Sequence, residues 1–122
     1  MKEVTPPTDL GTRLKQFAVR VIKLYGALPK TVEAQVIGKQ LLRSGTSVGA
    51  HYAEASRGRS TKEFVSKIEA GQQELQETIY WFELLIEADI VSENKLSALI
   101  TEANELMAIL VTVVKRAKNN RG

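Results

Sequence analysis

Apolar residues recur along this chain at intervals of three and four, a spacing that predicts amphipathic α-helices and leaves no run with the alternation of a strand. Four such stretches follow one another. They cover about residues 9–26, 31–56, 60–88 and 92–118. Polar residues stand where each helix begins, and in the third stretch Ser60 followed by Glu63 has the spacing of a capping box.

The connections between the predicted helices are short, and helices joined in this way pack antiparallel to each other. The pattern therefore predicts an all-α fold, an antiparallel up-down-up-down four-helix bundle. The chain has 122 residues, of which 43% are hydrophobic and 25% charged, as in an ordinary globular protein. That length suits one hydrophobic core, so residues 1–122 are predicted to form a single domain.

Composition excludes several kinds of chemistry and location. The chain contains no cysteine, which excludes disulfides and thiolate metal sites. It contains one histidine, which excludes a histidine-rich metal centre. Its first residues, MKEVTPPTD, lack the apolar centre of a signal peptide. The longest apolar run, over residues 106–114, is about half of a membrane span. We expect a cytoplasmic protein that is not embedded in a membrane.

Two motifs resemble catalytic or metal sites but stand in the wrong context. Residues 45–49, GTSVG, match the nucleophile-elbow pattern G-x-S-x-G, which requires a strand that turns sharply into a helix. Here Ser47 lies inside a predicted helix. The pair His51 and Glu54 reverses the Glu-x-x-His order of di-iron bundles and occurs once. The sequence therefore predicts no enzyme, no metal and no cofactor.

Gly45 and Gly49 stand four residues apart, which places them on one face of the second helix. Each glycine costs about 1 kcal/mol of helix propensity relative to alanine. Close packing of another helix is the most direct compensation, since a missing side chain lets two backbones approach. The sequence leaves open whether that packing lies within the bundle or between subunits.

Polar residues at helical spacing indicate a network between the second and third helices. Its predicted members are Arg43, Ser47, His51 and Glu54 on the second helix and Lys67, Glu74 and Glu77 on the third. If the intervening turn centres near Gly58, Arg43 meets Glu74 and Glu54 lies within reach of Lys67. We favour a partly buried ion-pair network that fixes the register of the two helices; the alternative is a solvated polar face.

Charge is distributed unevenly along the chain. Residues 1–59 contain ten Lys and Arg against four Asp and Glu, a net charge of +6. Residues 60–114 contain three basic against ten acidic residues, a net charge of −7. This polarity is compatible with chance placement on solvated helices, with association between unlike surfaces of two copies, or with a basic face for nucleic acid.

The basic residues of the first helix share one face, and others extend it. The predicted nucleic-acid-binding residues are Arg13, Arg20, Lys23, Lys30, Arg57, Arg59, Lys115, Arg116 and Lys118. No aromatic residue stands among them to stack on bases, so binding through them would be electrostatic and independent of base sequence. The alternative is a solvated basic helix that binds nothing.

The run LRSGTSVGAHYAEA at residues 42–55, followed by Phe64, Lys67, Glu74, Glu77 and the triplet Tyr80-Trp81-Phe82, resembles the four-helix-bundle family of 23S rRNA intervening-sequence proteins. These are also called S23 ribosomal proteins. The resemblance implies a ring-shaped homopentamer without catalytic activity. In one branch, the accessory proteins of diversity-generating retroelements, it implies binding to nucleic acid and to a reverse transcriptase.

Together these features predict a non-enzymatic, oligomeric helical bundle that acts as a scaffold on RNA or DNA. The alternative is a structural homo-oligomer that binds protein partners, such as a reverse transcriptase, and no nucleic acid.

Overall fold

The computed structural model describes residues 7–121, and side chains within residues 9–120. Four helices make up nearly all of this range. They are α1 (Pro7–Ala27), α2 (Val32–Ala55), α3 (Thr61–Glu87) and α4 (Glu93–Arg121). Residues 7–121 contain no strand. The prediction of an all-α four-helix bundle is confirmed.

The helix ends follow from local chemistry and lie close to the predicted bounds. The Thr31 hydroxyl accepts a hydrogen bond from the Ala34 amide at 3.3 Å, which caps α2. The Ser60 hydroxyl accepts one from the Glu63 amide at 3.0 Å and caps α3 in the same way. After α3 the chain turns through Asp89, whose φ of 58° lies in the left-handed region that short polar residues tolerate.

The helices pack in chain order around one core. The most extensive packing joins α2 to α3, whereas α1 and α4, which close the bundle, touch least. The core side chains include Leu14, Phe17 and Val21 from α1, Leu41 and Val48 from α2, Ile68, Leu75, Phe82 and Leu85 from α3, and Leu96, Leu106 and Leu110 from α4. At its centre the rings of Phe17 and Phe82 meet edge to face, 6.4 Å between centroids.

This order gives the bundle two distinct ends. The start of α1, the turn between α2 and α3, and the end of α4 lie at one end. The α1–α2 and α3–α4 loops lie at the other, because consecutive helices run in opposite directions.

One helix of the described range is long and apolar enough to cross a membrane by length and composition, the segment Glu93–Asn120 of α4. Core helices of globular proteins meet the same criterion. Within the bundle, α4 buries Leu96, Ala103, Leu106 and Leu110 almost completely. Of the other large apolar side chains of α4, Ile100, Met107, Ile109 and Val113 pack partly against the core, and Val111 is 37% exposed.

Candidate functional site

The GTSVG motif lies in the interior of α2 and forms no elbow. The Ser47 hydroxyl donates to the Arg43 carbonyl one turn earlier, at 2.6 Å. A serine in the interior of a regular helix lacks the sharp strand-to-helix turn that presents a nucleophile in this motif.

The predicted polar residues come together between α2 and α3, except for Ser47, whose hydroxyl bonds within α2. The Arg43 guanidinium donates to the Glu74 carboxylate at 3.1 Å and also to Glu77. Closer to the α2–α3 turn, the Lys67 ammonium donates to the Glu54 carboxylate at 3.0 Å. Glu74 is 21% exposed and Arg43 49%, so the carboxylates sit partly buried in the seam while the arginine covers them from outside. This geometry fixes the register of the two helices.

A tryptophan completes the same network. The indole Nε1 of Trp81 donates to the Glu77 carboxylate at 3.0 Å. The hydrogen bonds from Arg43 and Trp81 hold the pKa of Glu77 below its usual range. Lys67 lowers the pKa of Glu54 by the same combination of hydrogen bond and charge. These carboxylates therefore remain ionised at neutral pH, as acceptors rather than as proton donors.

His51 stands between two of these carboxylates. Its Nε2 lies 3.7 Å from Glu74 and its Nδ1 lies 3.8 Å from Glu54, too far for hydrogen bonds. Its Nδ1 is buried and has no hydrogen-bond partner among the described residues. Within the same range, no group of three potential ligand side chains is close enough to hold a metal ion.

The two glycines of the motif have different neighbours. A Cβ placed on Gly45 would lie 2.9 Å from Cγ1 of Val21 on α1, closer than real Cβ atoms approach. A Cβ on Gly49 would lie 3.5 Å from Cβ of Leu14, which is ordinary van der Waals contact. Packing within the chain therefore requires a glycine at 45 but not at 49.

The basic face predicted on α1 turns toward α4 and is partly neutralised there. Arg13 donates two hydrogen bonds to Glu102, at 2.7 and 2.8 Å, and a third to Glu105 at 2.6 Å. The pair with Arg13 lowers the pKa of Glu102, and the charge of Arg20 adds to the effect. Arg13 thus joins two helices, and its charge is less available to an external ligand than the sequence predicts.

Arg20 is exposed part-way along α1, and the remaining predicted cations divide between the two ends of the bundle. Lys23 and Lys30 are exposed near the α1–α2 loop. At the other end, a recess of about 470 Å³ is lined by the α2–α3 turn with Arg59, and by Ala117 and Asn120 of α4. The single face expected from the sequence is therefore two separate surfaces.

The larger surface is the one around this recess. We call it the basic end and define it by Arg57, Arg59, Lys62, Lys115, Arg116 and Lys118, all exposed. Sequence analysis missed Lys62, whose place in the first turn of α3 beside the basic turn is its only signal. Nearby carboxylates are partly engaged: Glu63 accepts from the Arg59 amide at 2.6 Å, and Glu69 pairs with Lys118 at 3.4 Å. The basic end thus keeps an excess of positive charge.

Comparison with known proteins identifies a family and a similar solved structure. The profile of a family described as 23S rRNA-intervening sequence protein matches residues 11–112. The chain is also similar to a protein of unknown function from the S23 ribosomal protein family of Bacteroides thetaiotaomicron VPI-5482, whose crystal structure was solved at 1.70 Å resolution. The two are 32% identical with a TM-score of 0.84, over 89% of this chain and 97% of that one. No curated protein matches the chain.

Proposed function

The chain belongs to the family of 23S rRNA-intervening sequence proteins, and on that premise we propose that it is a non-enzymatic scaffold that assembles into a homo-oligomer and binds RNA or DNA. We propose a ring of five copies, in the cytoplasm, without a cofactor. The proposal assigns the chain no catalytic step, because its one motif of catalytic type lies inside a regular helix.

The observation that carries nucleic-acid binding is the basic end. Its six cations are exposed on or near this end of the bundle, and Arg59 lines the recess there. Lysine and arginine side chains of this kind contact phosphates without reading base sequence. One copy offers few phosphate contacts. A ring presents the same end several times toward the same side, which multiplies the contacts along a strand.

Binding is tested by fluorescence anisotropy with labelled RNA and DNA of one sequence, single- and double-stranded, at ~50 and ~200 mM salt. We expect micromolar affinity at the lower salt concentration and a loss of at least tenfold at the higher one. Arg57→Glu/Arg116→Glu should weaken binding at both salt concentrations, and should reduce the slope of log affinity against log salt by about two.

The matched control is Lys30→Glu/Lys95→Glu, which reverses two exposed charges at the opposite end of the bundle. We expect it to bind nearly as the wild type does. An equal loss in the control would mean that the basic end is not the site. Salt-insensitive binding would contradict a phosphate-based contact.

An alternative function rests on exposed apolar side chains. Val32, Val36 and Tyr80 are 78%, 59% and 54% exposed. The two valines lie one turn apart on α2, where an apolar patch would suit a protein partner. On this reading the homo-oligomer binds a protein partner, for which the retroelement branch points to a reverse transcriptase, and no nucleic acid. Absence of binding to every RNA and DNA probe at ~50 mM salt would favour it.

A further inference from the structure

The recess at the basic end has an apolar inner part and a polar rim. Phe64 of α3 and Ala117 of α4 line it and also pack against the hydrophobic core, so they form its inner part. Arg59 and Ser60 in the α2–α3 turn and Asn120 near the end of α4 belong to the rest of the lining. A concave site with an apolar wall and a few polar groups is suited to a small, partly apolar group of a ligand.

Phe64 brings an aromatic ring into a surface for which the sequence predicts none. Its spacing from the other apolar residues of α3 marks it as a core residue. In the structure it is only partly buried, it lines the recess with Arg59, and it follows the exposed Lys62 by two positions. Proteins bind single-stranded nucleic acid with this combination of groups, because the cations hold the phosphates and the ring stacks on a base.

The size of the recess suits a single unpaired base. Small-molecule sites have volumes of about 300–1,000 Å³, and the recess, at about 470 Å³, lies within that range. The bases of a single strand can turn outward and stack on an aromatic ring. The bases of a duplex are paired and stacked on one another, so none can enter the recess unless it first leaves the stack, which costs free energy.

The rim offers hydrogen bonds without demanding a particular base. The Asn120 carboxamide and the hydroxyls of Ser60 and Thr61 can each donate and accept. The Ser60 hydroxyl accepts from the Glu63 amide at 3.0 Å and still has its own proton to donate. Groups of this kind adapt to the edges of different bases, and stacking is equally tolerant of base identity. Contact through the recess is therefore independent of base sequence.

The charges beside the recess suit a phosphate backbone that passes outside it. Arg59 lines the recess, and Arg57 and Lys62 are exposed in the same turn and at the start of α3. The acidic residue nearest to them in the sequence, Glu63, accepts from the Arg59 amide at 2.6 Å and is not part of the lining. A strand whose phosphates lie on these cations has its bases next to the recess.

We propose that this recess binds one unpaired base of a single-stranded RNA or DNA, stacked on the ring of Phe64. The inference rests on the proposed function and deepens it, because it names the form of nucleic acid that the basic end binds. The cations supply the part of the affinity that depends on salt, and the ring supplies a part that depends on the presence of the base.

The wild type is tested with labelled strands that have equal numbers of phosphates but differ in their bases. The probes are oligodeoxythymidine and oligouridine of about 12 nucleotides, and an abasic deoxyribose–phosphate strand of the same length. Fluorescence anisotropy at ~50 mM salt gives the affinities. We expect the abasic strand to bind at least about fivefold more weakly than oligodeoxythymidine. The oligouridine arm shows whether RNA binds in the same way as DNA.

A pair of variants tests the ring itself. Phe64→Leu removes the ring and keeps an apolar side chain for the core, and circular dichroism checks its fold. We expect it to weaken binding of the base-bearing strands by at least about fivefold, and to leave binding of the abasic strand and of a duplex unchanged. The slope of log affinity against log salt should stay that of the wild type, because the phosphate contacts remain. The matched control Phe64→Tyr retains a ring and should bind as the wild type does.

Equal affinity of the wild type for the abasic and the base-bearing strands would overturn the proposed base site, and this comparison requires no variant to fold. Wild-type affinity of Phe64→Leu for base-bearing strands, an equal loss on every probe, or an equal loss in Phe64→Tyr would overturn it as well. These results leave phosphate binding intact as long as the strands bind with a dependence on salt. Failure of every probe to bind would instead refute the nucleic-acid binding of the proposed function, together with this site.

Discussion

At the scale of single residues, the space around each glycine of α2 decides its role. Gly45 faces Val21, a β-branched side chain with little rotamer freedom, at a distance that leaves no room for a methyl group. Gly49 faces Leu14 across a normal contact distance. The spacing of four places both glycines on one face, but it contains no information about which side chains of α1 stand opposite.

Gly45→Ala should lower the free energy of unfolding by about 1–3 kcal/mol, because the new methyl group overpacks against Val21. Gly49→Ala should raise it by up to about 1 kcal/mol through better helix propensity. Urea denaturation at several protein concentrations separates these effects from assembly, because the apparent stability of an oligomer depends on concentration. Equal destabilisation by both substitutions would contradict the assignment of close packing to Gly45 alone.

At the scale of elements, the ion pairs between α2 and α3 fix how far one helix is shifted along the other. The turn between them is short, so its centre predicts the register, and the structure has Arg43 on Glu74 and Lys67 on Glu54. Exposure moderates the energy of such pairs, because solvent screens a half-exposed guanidinium. Their main contribution is therefore to alignment rather than to stability.

Arg43→Ala should lower the free energy of unfolding by about 1 kcal/mol, since it breaks contacts to two carboxylates at a half-exposed site. In a double-mutant cycle with Glu74→Ala, we expect a coupling energy of about 0.5 kcal/mol that falls at high salt. Lys39→Ala, an exposed lysine elsewhere on α2, is the control for loss of one positive charge. Strictly additive effects would mean that the pair contributes nothing.

The helices and their order could be predicted because apolar periodicity, capping residues and short connections are all local signals. The contact of Arg13 with Glu102 could not, since the two residues lie 89 positions apart and no short turn sets the register of α1 against α4. Because the register of α1 against α4 could not be predicted, the basic residues of α1 were predicted as an open face. Sequence shows which residues share a helix face, but it does not show which carboxylates stand opposite.

At the scale of the whole molecule, the bundle is closed by its weakest contact. The α1–α4 junction has the least packing of the neighbouring helix pairs, and Arg13 joins it through Glu102 and Glu105. The carboxylate of Glu102 has a lowered pKa in the folded chain, mainly through Arg13. Its contribution to stability is therefore present above the unfolded carboxyl pKa of about 4.3 and is lost as pH falls through the lower folded value.

Arg13→Met should lower the free energy of unfolding by about 1 kcal/mol at neutral pH, because it removes a bidentate ion pair. The deficit should shrink as the pH falls below the unfolded carboxyl pKa of about 4.3, because the unfolded chain then binds a proton that the ion pair keeps off Glu102 in the folded wild type. Urea denaturation at pH 7 and at pH 3.5 makes the comparison. A deficit that is the same at both values would mean that Arg13 acts through packing of its aliphatic stem.

The up-down-up-down order also decides where a reporter can be attached. The first residue of α1 and the last residue of α4 lie at the same end as the α2–α3 turn, beside the basic end. A fluorophore or affinity tag fused ahead of α1 or after α4 would therefore lie next to the cations that we expect to bind phosphates. A label in the α3–α4 loop, at residues 88–92, is about a helix length away and can report on assembly without disturbing them.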